Sequence, residues 1–116
     1  MTDPVNLRNL RLITEGDQEL ERELFREFLS SFSVGAEEME KHISDPASAG
    51  AWKGAAHRLK GMALNLGAET LGNYCMDAEA RFGATIDEKA GMLASIQKEF
   101  ERVRLYLEKT LKAACE

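Results

Sequence analysis

Apolar residues recur at intervals of three and four along four long segments of the chain, and this spacing constrains the fold more than any other feature. The segments cover residues 17–43, 48–66, 69–82 and 87–114, after a shorter segment at about residues 6–13. Proline occurs only at Pro4 and Pro46, and no strand-like alternation persists. Short connections favour antiparallel neighbours. We therefore predict a single all-α domain over residues 1–116, an antiparallel up-down four-helix bundle with a short extra N-terminal helix.

The apolar stripes define the candidate core, and turn residues mark the helix ends. Asp17 is expected to cap the first long helix, Gly67 to end the second, and Thr85 or Asp87 to cap the last. Gly35 is expected to bend the first long helix. The candidate core positions are Leu7, Leu10, Ile13, Leu20, Leu24, Phe28, Phe32, Met39, Ile43, Trp52, Ala55, Ala56, Leu59, Ala63, Leu66, Leu71, Tyr74, Cys75, Ala78, Phe82, Leu93, Ile96, Phe100, Val103, Leu107 and Leu111.

Composition excludes several classes of protein. The chain is 44% hydrophobic and 30% charged, a globular profile. No apolar run approaches the roughly 20 residues of a membrane span, and the first residues lack the apolar stretch of a signal peptide. The two cysteines, Cys75 and Cys115, form neither a disulfide framework nor a metal-ligand spacing. We expect a cytoplasmic, reduced protein that does not bind a membrane and, if Met1 to Glu116 is the full product, stands alone.

Charge is unevenly distributed along the chain. The net charge of −5 argues against nucleic-acid binding, which needs a basic surface. Residues 46–68 nevertheless contain no acidic side chain and three basic ones, Lys53, Arg58 and Lys60, whereas the rest of the chain has 12 basic and 20 acidic side chains. His57 lies inside this basic stretch. An anionic group is therefore favoured near its ring.

His57 is predicted to point away from the core. At about 100° per residue, it lies roughly 150° from the centre of its helix's apolar stripe. Gly54 and Gly61 lie one turn before and one turn after it, and Leu64 shares the outward face. Glycine inside a helix costs about 1 kcal/mol relative to alanine, and packing against the core does not explain glycines that face outward. The pattern indicates steric clearance for a partner that approaches the imidazole.

Phosphoryl transfer is the chemistry that fits this arrangement. A neutral imidazole is a good nucleophile near neutral pH. Lys60, three residues after His57, can reach over the same patch and stabilise a transferring phosphoryl group. A metal site is disfavoured because His57 lacks co-ligands at helical spacing. Hydrolysis is disfavoured because no serine, cysteine or acid is placed in sequence as its partner.

These residues resemble the histidine-containing phosphotransfer (Hpt) domains of two-component phosphorelays. The resemblance rests on "AHRLKG" (Ala56 to Gly61), "NLGAETL" (Asn65 to Leu71) and "CMDAEA" (Cys75 to Ala80). The segment "GDQELERELFREFL" (Gly16 to Leu29) also looks like the segment that opens such domains. The resemblance covers nearly the whole chain and implies a helical-bundle fold. Met62, Ala63 and Ala78 depart from the residues common at their positions in the family.

The resemblance also implies a role for each site residue. His57 would accept the phosphoryl group on Nε2, Lys60 would neutralise its charge, and Gly61 would be kept small for the partner. Glu79 would accept a hydrogen bond from Nδ1 of His57 and orient the ring. The resemblance, together with the acid-free stretch, implies docking of a partner on the residues Lys53, Gly54, Arg58, Gly61 and Leu64.

A carrier rather than an enzyme follows from the resemblance. The chain has no nucleotide-binding loop, so it would not be a kinase. It would receive phosphate from the aspartyl phosphate of a receiver domain, including that of a hybrid histidine kinase, and pass it to another response-regulator receiver. Mg²⁺ is expected on the receiver, with no cofactor or metal on this chain, which would be a monomer. The alternatives are a non-phosphorylated four-helix adaptor that docks a receiver or kinase, and a fragment of a chemotaxis-type kinase.

Overall fold

The computed structural model describes residues 3–44 and 46–114 of the chain. Within these residues the chain forms five α-helices and no β-strand: α1 (Arg8–Thr14), α2 (Gln18–Lys41), α3 (Ala49–Leu66), α4 (Glu69–Ala80) and α5 (Ile86–Ala114). A short 3₁₀ turn at Pro46–Ser48 precedes α3. The prediction of an all-α fold is confirmed. Cys115 and the side chain of Leu111 lie outside what the structure describes.

The helix ends follow the predicted capping residues. The Leu20 backbone N–H donates to the Asp17 carboxylate at 3.1 Å, so Asp17 caps α2. Gly67 ends α3 in the left-handed conformation, with φ at +99°. The Glu88 backbone N–H donates to the Thr85 hydroxyl at 3.2 Å, so Thr85 rather than Asp87 caps α5. Helix α2 ends at Lys41 and α4 at Ala80, each two residues earlier than predicted.

The core lies between the four long helices. Helices α2 and α4 each pack against both α3 and α5, while α1 packs on α2. The α3 stripe is buried as predicted, as are most other predicted core positions. Gly35 has a packing role: a Cβ there would lie 2.5 Å from Cδ2 of Leu59, so the glycine lets this α3 side chain press against α2.

Four apolar residues that the pattern assigned to the core are exposed instead: Ile13, Leu20, Tyr74 and Phe82. On α2 the first buried positions are Glu21, which accepts a hydrogen bond from the Thr14 hydroxyl of α1, and Phe25, which the prediction omitted. On α4 the buried stripe is narrow and leaves Tyr74 at its edge. Phe82 lies beyond the end of α4, so the helix does not direct its ring into the core.

Contacts at both ends of the α3–α4 pair show that these two helices are antiparallel. In the first turn of α3, the Trp52 indole N–H donates to the Ala78 carbonyl in the last turn of α4, at 2.9 Å. In the last turn of α3, Leu64 lies over Gly72 in the first turn of α4, where a Cβ would be 2.5 Å from Cδ2 of Leu64. This pairing places the outward face of α3 beside one face of α4.

Candidate functional site

His57 stands on the outward face of α3, as predicted. Its neighbours Ala56 and Leu59 are fully buried, while the imidazole side chain is 66% exposed. Nδ1 of the ring lies 2.9 Å from Oε1 of Glu79 on α4. One ring nitrogen is thus held by the neighbouring helix, and the ring as a whole remains open to a partner.

The Glu79 carboxylate bridges two side chains of α3. Its Oε1 meets His57, and its Oε2 lies 2.8 Å from the Lys60 ammonium. Hydrogen bonds from Lys60, and secondarily from His57, hold the pKa of Glu79 below its usual value, so the carboxylate is ionised at neutral pH. An ionised carboxylate only accepts hydrogen bonds. The neutral imidazole therefore carries its proton on Nδ1, which leaves the lone pair on Nε2.

The two glycines beside His57 face open space among the described residues. A Cβ at Gly61 would meet no heavy atom within 4 Å, and one at Gly54 would meet only Nη1 of Arg58, at 3.8 Å. Internal packing therefore does not require a glycine at either position. The geometry is compatible with the predicted clearance around the imidazole.

Cys75 is not available as a competing nucleophile. It lies in the core, and burial raises the pKa of its thiol to about 12. The thiol therefore stays protonated at neutral pH and is unreactive.

Comparison with known proteins supports the resemblance found in the motifs. A family model described as Hpt domain matches residues 23–113, which is more than half of the chain. The chain belongs to the Hpt domain family. No curated protein and no solved structure gives a significant match. Hpt domains are phosphotransfer carriers rather than kinases, and they act with receiver domains in phosphorelays.

The match covers all three residues of the network at the Hpt domain's surface, His57, Lys60 and Glu79. Helix α1 and the segment before it precede the match. Across the part of the chain that the structure describes, no helix combines the length and apolar character that crossing a membrane requires.

The basic stretch of the Hpt domain is partly neutralised in three dimensions. The Arg58 guanidinium donates to the Glu38 carboxylate of α2 at 2.7 Å, and Lys60 pairs with Glu79 of α4. The Lys53 ammonium lies 4.7 Å from the centroid of the Phe82 ring. The stretch is acid-free only along the chain, because its carboxylate partners come from other helices.

Two exposed apolar residues of the Hpt domain were not predicted to face outward: Met76 was given no role, and Phe82 was assigned to the core. Leu64 was predicted to face outward and is 41% exposed, but Met76 and Phe82 are as open, at 47% and 40%. Met76 lies between Gly72 and Glu79 on one face of α4, at spacings of four and three. Once Glu79 had been assigned to the site, this spacing could have predicted that Met76 lies on the same face of α4.

Proposed function

We propose that this Hpt domain carries a phosphoryl group on Nε2 of His57. It accepts the group from the aspartyl phosphate of one receiver domain and passes it, reversibly, to the aspartate of another. The observation that carries the proposal is the contact between Nδ1 of His57 and the ionised Glu79 carboxylate. This contact fixes the tautomer whose Nε2 lone pair is the nucleophile.

The transfer balances without any further reactant. The Nε2 lone pair forms the N–P bond while the P–O bond of the acyl phosphate breaks, and that electron pair leaves with the aspartate carboxylate. Nδ1 keeps its proton, so the phosphorylated ring is positively charged beside Glu79. The carboxylate stabilises this charge, which develops only as the N–P bond forms. Transfer to a second receiver is the reverse sequence with another aspartate as nucleophile.

Lys60 and the partner share the neutralisation of the phosphoryl oxygens. The Lys60 ammonium is held beside the ring through Glu79, within the same network. Mg²⁺ would be held by the receiver, where it would supply positive charge to the acyl phosphate; this chain contributes His57 and Lys60. Lys53, Gly54, Arg58, Gly61 and Leu64 are the docking residues of α3 in this proposal. Arg58 acts there as half of an ion pair with Glu38.

The setting of the carrier belongs to the same proposal. We expect the four long helices to form an antiparallel up-down bundle, which the antiparallel α3–α4 pair and the short connections support. The protein acts as a cytoplasmic monomer, and a hybrid histidine kinase is among its donors. Its acidic character, a net charge of −5, supports a protein rather than a nucleic-acid partner.

A labelling experiment tests the proposal. Receiver domains carrying a ³²P-labelled aspartyl phosphate are mixed with the wild type, His57→Gln and His42→Gln, the last being the matched control at the chain's other histidine. We expect acid-labile, base-stable label on the wild type and on His42→Gln, and at least a hundredfold less on His57→Gln. Label that persists on His57→Gln contradicts the assignment. Receiver binding without any label on the wild type favours the adaptor.

A further inference from the structure

The contact between His57 and Glu79 depends on the last turn of α4. Glu79 is the second-to-last residue of that helix, and its Oε1 lies 2.9 Å from Nδ1 of His57. A hydrogen bond between these atoms is lost once their separation reaches about 3.6 Å. The ends of helices fray, because their last carbonyls lack the N–H donors of a following turn. A displacement of less than about 1 Å in this turn would therefore release the imidazole.

The carbonyls of this last turn accept hydrogen bonds from donors outside the regular helix. The Arg81 backbone N–H, the first beyond α4, donates to the Asp77 carbonyl at 3.0 Å. The next carbonyl, that of Ala78, accepts from the Trp52 indole N–H at 2.9 Å. Ala78 and Trp52 are both fully buried, so bulk water does not replace this donor. A side chain of α3 therefore caps the C-terminal end of α4, one residue before Glu79.

The indole of Trp52 is itself held by its surroundings. The Lys89 ammonium of α5 lies 5.4 Å from the centroid of the indole ring, a distance at which a cation is attracted to the ring face. Lys89 is only 4% exposed, so this contact is shielded from water. Core packing and the Lys89 contact both restrict rotation of the indole, and its N–H stays directed at the Ala78 carbonyl.

Two hydrogen bonds thus join α3 to consecutive residues of α4. Trp52 and His57 are five residues apart, about 7.5 Å along α3, and they bond to Ala78 and Glu79 respectively. The close contact of α3 with Gly72 lies in the first turn of α4, seven residues before Glu79. That contact sets the spacing at the far end of the pair. The Trp52 bond is the one that acts on the turn carrying the carboxylate.

We propose that Trp52 is a positioning residue for phosphoryl transfer, because its indole N–H, by capping the Ala78 carbonyl, holds the Glu79 carboxylate against Nδ1 of His57. This inference rests on the proposed function and gives Trp52 a role beyond core packing. While the cap is in place, the imidazole proton stays on Nδ1 and the Nε2 lone pair attacks the phosphoryl group. Without the cap, the proton distributes over both nitrogens, and rings that carry it on Nε2 are not nucleophilic there.

The test removes the indole N–H and keeps an aromatic ring. Trp52→Phe retains a buried aromatic side chain without a donor. Because Trp52 is the only tryptophan of the chain, benzothienylalanine, whose sulfur replaces the indole N–H, can be incorporated there alone with the shape conserved. This second variant serves where Trp52→Phe fails to fold. Phe25→Leu is the matched control, since it loosens the core at a buried aromatic residue of α2, which packs on α3 and α5.

Two measurements are made on these variants. Nitrogen-15 NMR at alkaline pH gives the fraction of neutral His57 rings that carry the proton on Nδ1, and the His42→Gln background leaves His57 as the only histidine. We expect this fraction to fall below about half in both Trp52 variants and to stay as in the wild type in Phe25→Leu. At saturating receiver, His57 labelling should slow at least about fivefold in the Trp52 variants and less than about twofold in Phe25→Leu, because the tautomer and the charge stabilisation by Glu79 are both lost.

The outcomes separate this inference from the proposed function. An unchanged tautomer in the Trp52 variants would mean that Glu79 stays in place without the cap; the inference is then wrong, although labelling of the wild type still supports the carrier. The same tautomer change in Phe25→Leu would assign the effect to a loosened core, which also overturns it. A changed tautomer with an unchanged labelling rate would show that Trp52 has no part in transfer. Absence of label on the wild type removes the proposed function itself, whatever the tautomer.

Discussion

At the scale of single residues, the site depends on a carboxylate shared by two donors. Glu79 receives one hydrogen bond from His57 and one from Lys60, on different oxygens. Because the Lys60 bond contributes most to the lowered pKa of Glu79, the lysine has a role before any phosphate arrives. It extends the ionised range of the carboxylate to lower pH, and an ionised carboxylate is what fixes the proton on Nδ1 of His57.

Removal of Lys60 should therefore raise the pKa of Glu79 toward its usual value. We expect Lys60→Met to raise it more than His57→Ala, and Lys98→Met on α5 to leave it unchanged. Carbon-13 NMR of the side-chain carboxyl across acidic pH measures the pKa directly. Since the folded pKa lies below the unfolded one, the network's stabilisation is complete above the usual glutamate pKa and is lost as pH falls through the lowered value. An unchanged Glu79 pKa in Lys60→Met would show that the ion pair does not form in solution.

The residues of this network differ in how far the sequence could predict them. The exposure of His57 depends only on the period of its own helix, so projection placed it correctly. The contact with Glu79 depends on how α3 and α4 align; the family resemblance pointed to it, and the helical projection gave only partial support. The Arg58–Glu38 pair depends on the packing of α2 against α3. Nothing in the local sequence of either helix encodes that pair.

At the scale of elements, α3 has one face packed in the core and one face exposed to solvent. Its buried face includes Leu59, which packs so closely against Gly35 of α2 that any larger residue at position 35 would force the leucine side chain to shift. Gly61 on the open face is not required by any described neighbour. Gly91 on α5 is equally open but lies away from the imidazole, in a pocket between α4 and α5. The two open glycines form a matched pair.

Substitutions at this pair should separate helix stability from access to the site. Gly61→Ala and Gly91→Ala should each stabilise the fold by up to about 1 kcal/mol, because alanine is the better helix former and meets no neighbour. Gly61→Gln should slow phosphoryl transfer from a receiver at least tenfold, while Gly91→Gln should leave the rate within twofold. Urea unfolding and single-turnover labelling measure the two effects. Equal transfer rates for both glutamine variants would mean that Gly61 provides no clearance.

Helix existence was predictable from the apolar spacing, whereas the exact burial of the stripes was not. Phe82 fitted the period of α4 and was assigned to its core, yet the helix ends at Ala80 and the ring is exposed. An apolar side chain contributes equally to a periodic pattern whether it packs inward or serves a partner. The choice of Phe25 over Leu20 on α2 likewise depends on where α1 lies, which the pattern of α2 alone does not contain.

At the scale of the whole molecule, the N-terminal segment belongs to the same core as the site-bearing helices, although the family match begins only at residue 23. Val5, Leu7 and Leu10 share one hydrophobic cluster with Trp52. The Asn6 backbone N–H donates to the Gly67 carbonyl at 2.9 Å, and any side chain at Gly67 would collide with the backbone of Asn6. The segment thus closes over the turn between α3 and α4.

If the core is continuous, a cavity at the N-terminal segment should also lower the stability of the far end of α3, where Trp52 lies. Leu7→Ala should lower the free energy of unfolding by about 2–5 kcal/mol, whereas Leu12→Ala, on the exposed side of α1, should change it by less than about 0.5 kcal/mol.

Trp52 lies fifteen residues before Gly67 on α3, about 22 Å away along the helix, and is the only tryptophan in the chain. Its fluorescence therefore reports the far end during urea unfolding. We expect fluorescence and helical circular dichroism to shift to the same lower midpoint in Leu7→Ala, as a single cooperative unit requires. A small early loss of helicity with an unchanged Trp52 midpoint would instead make α1 an appendage that unfolds on its own.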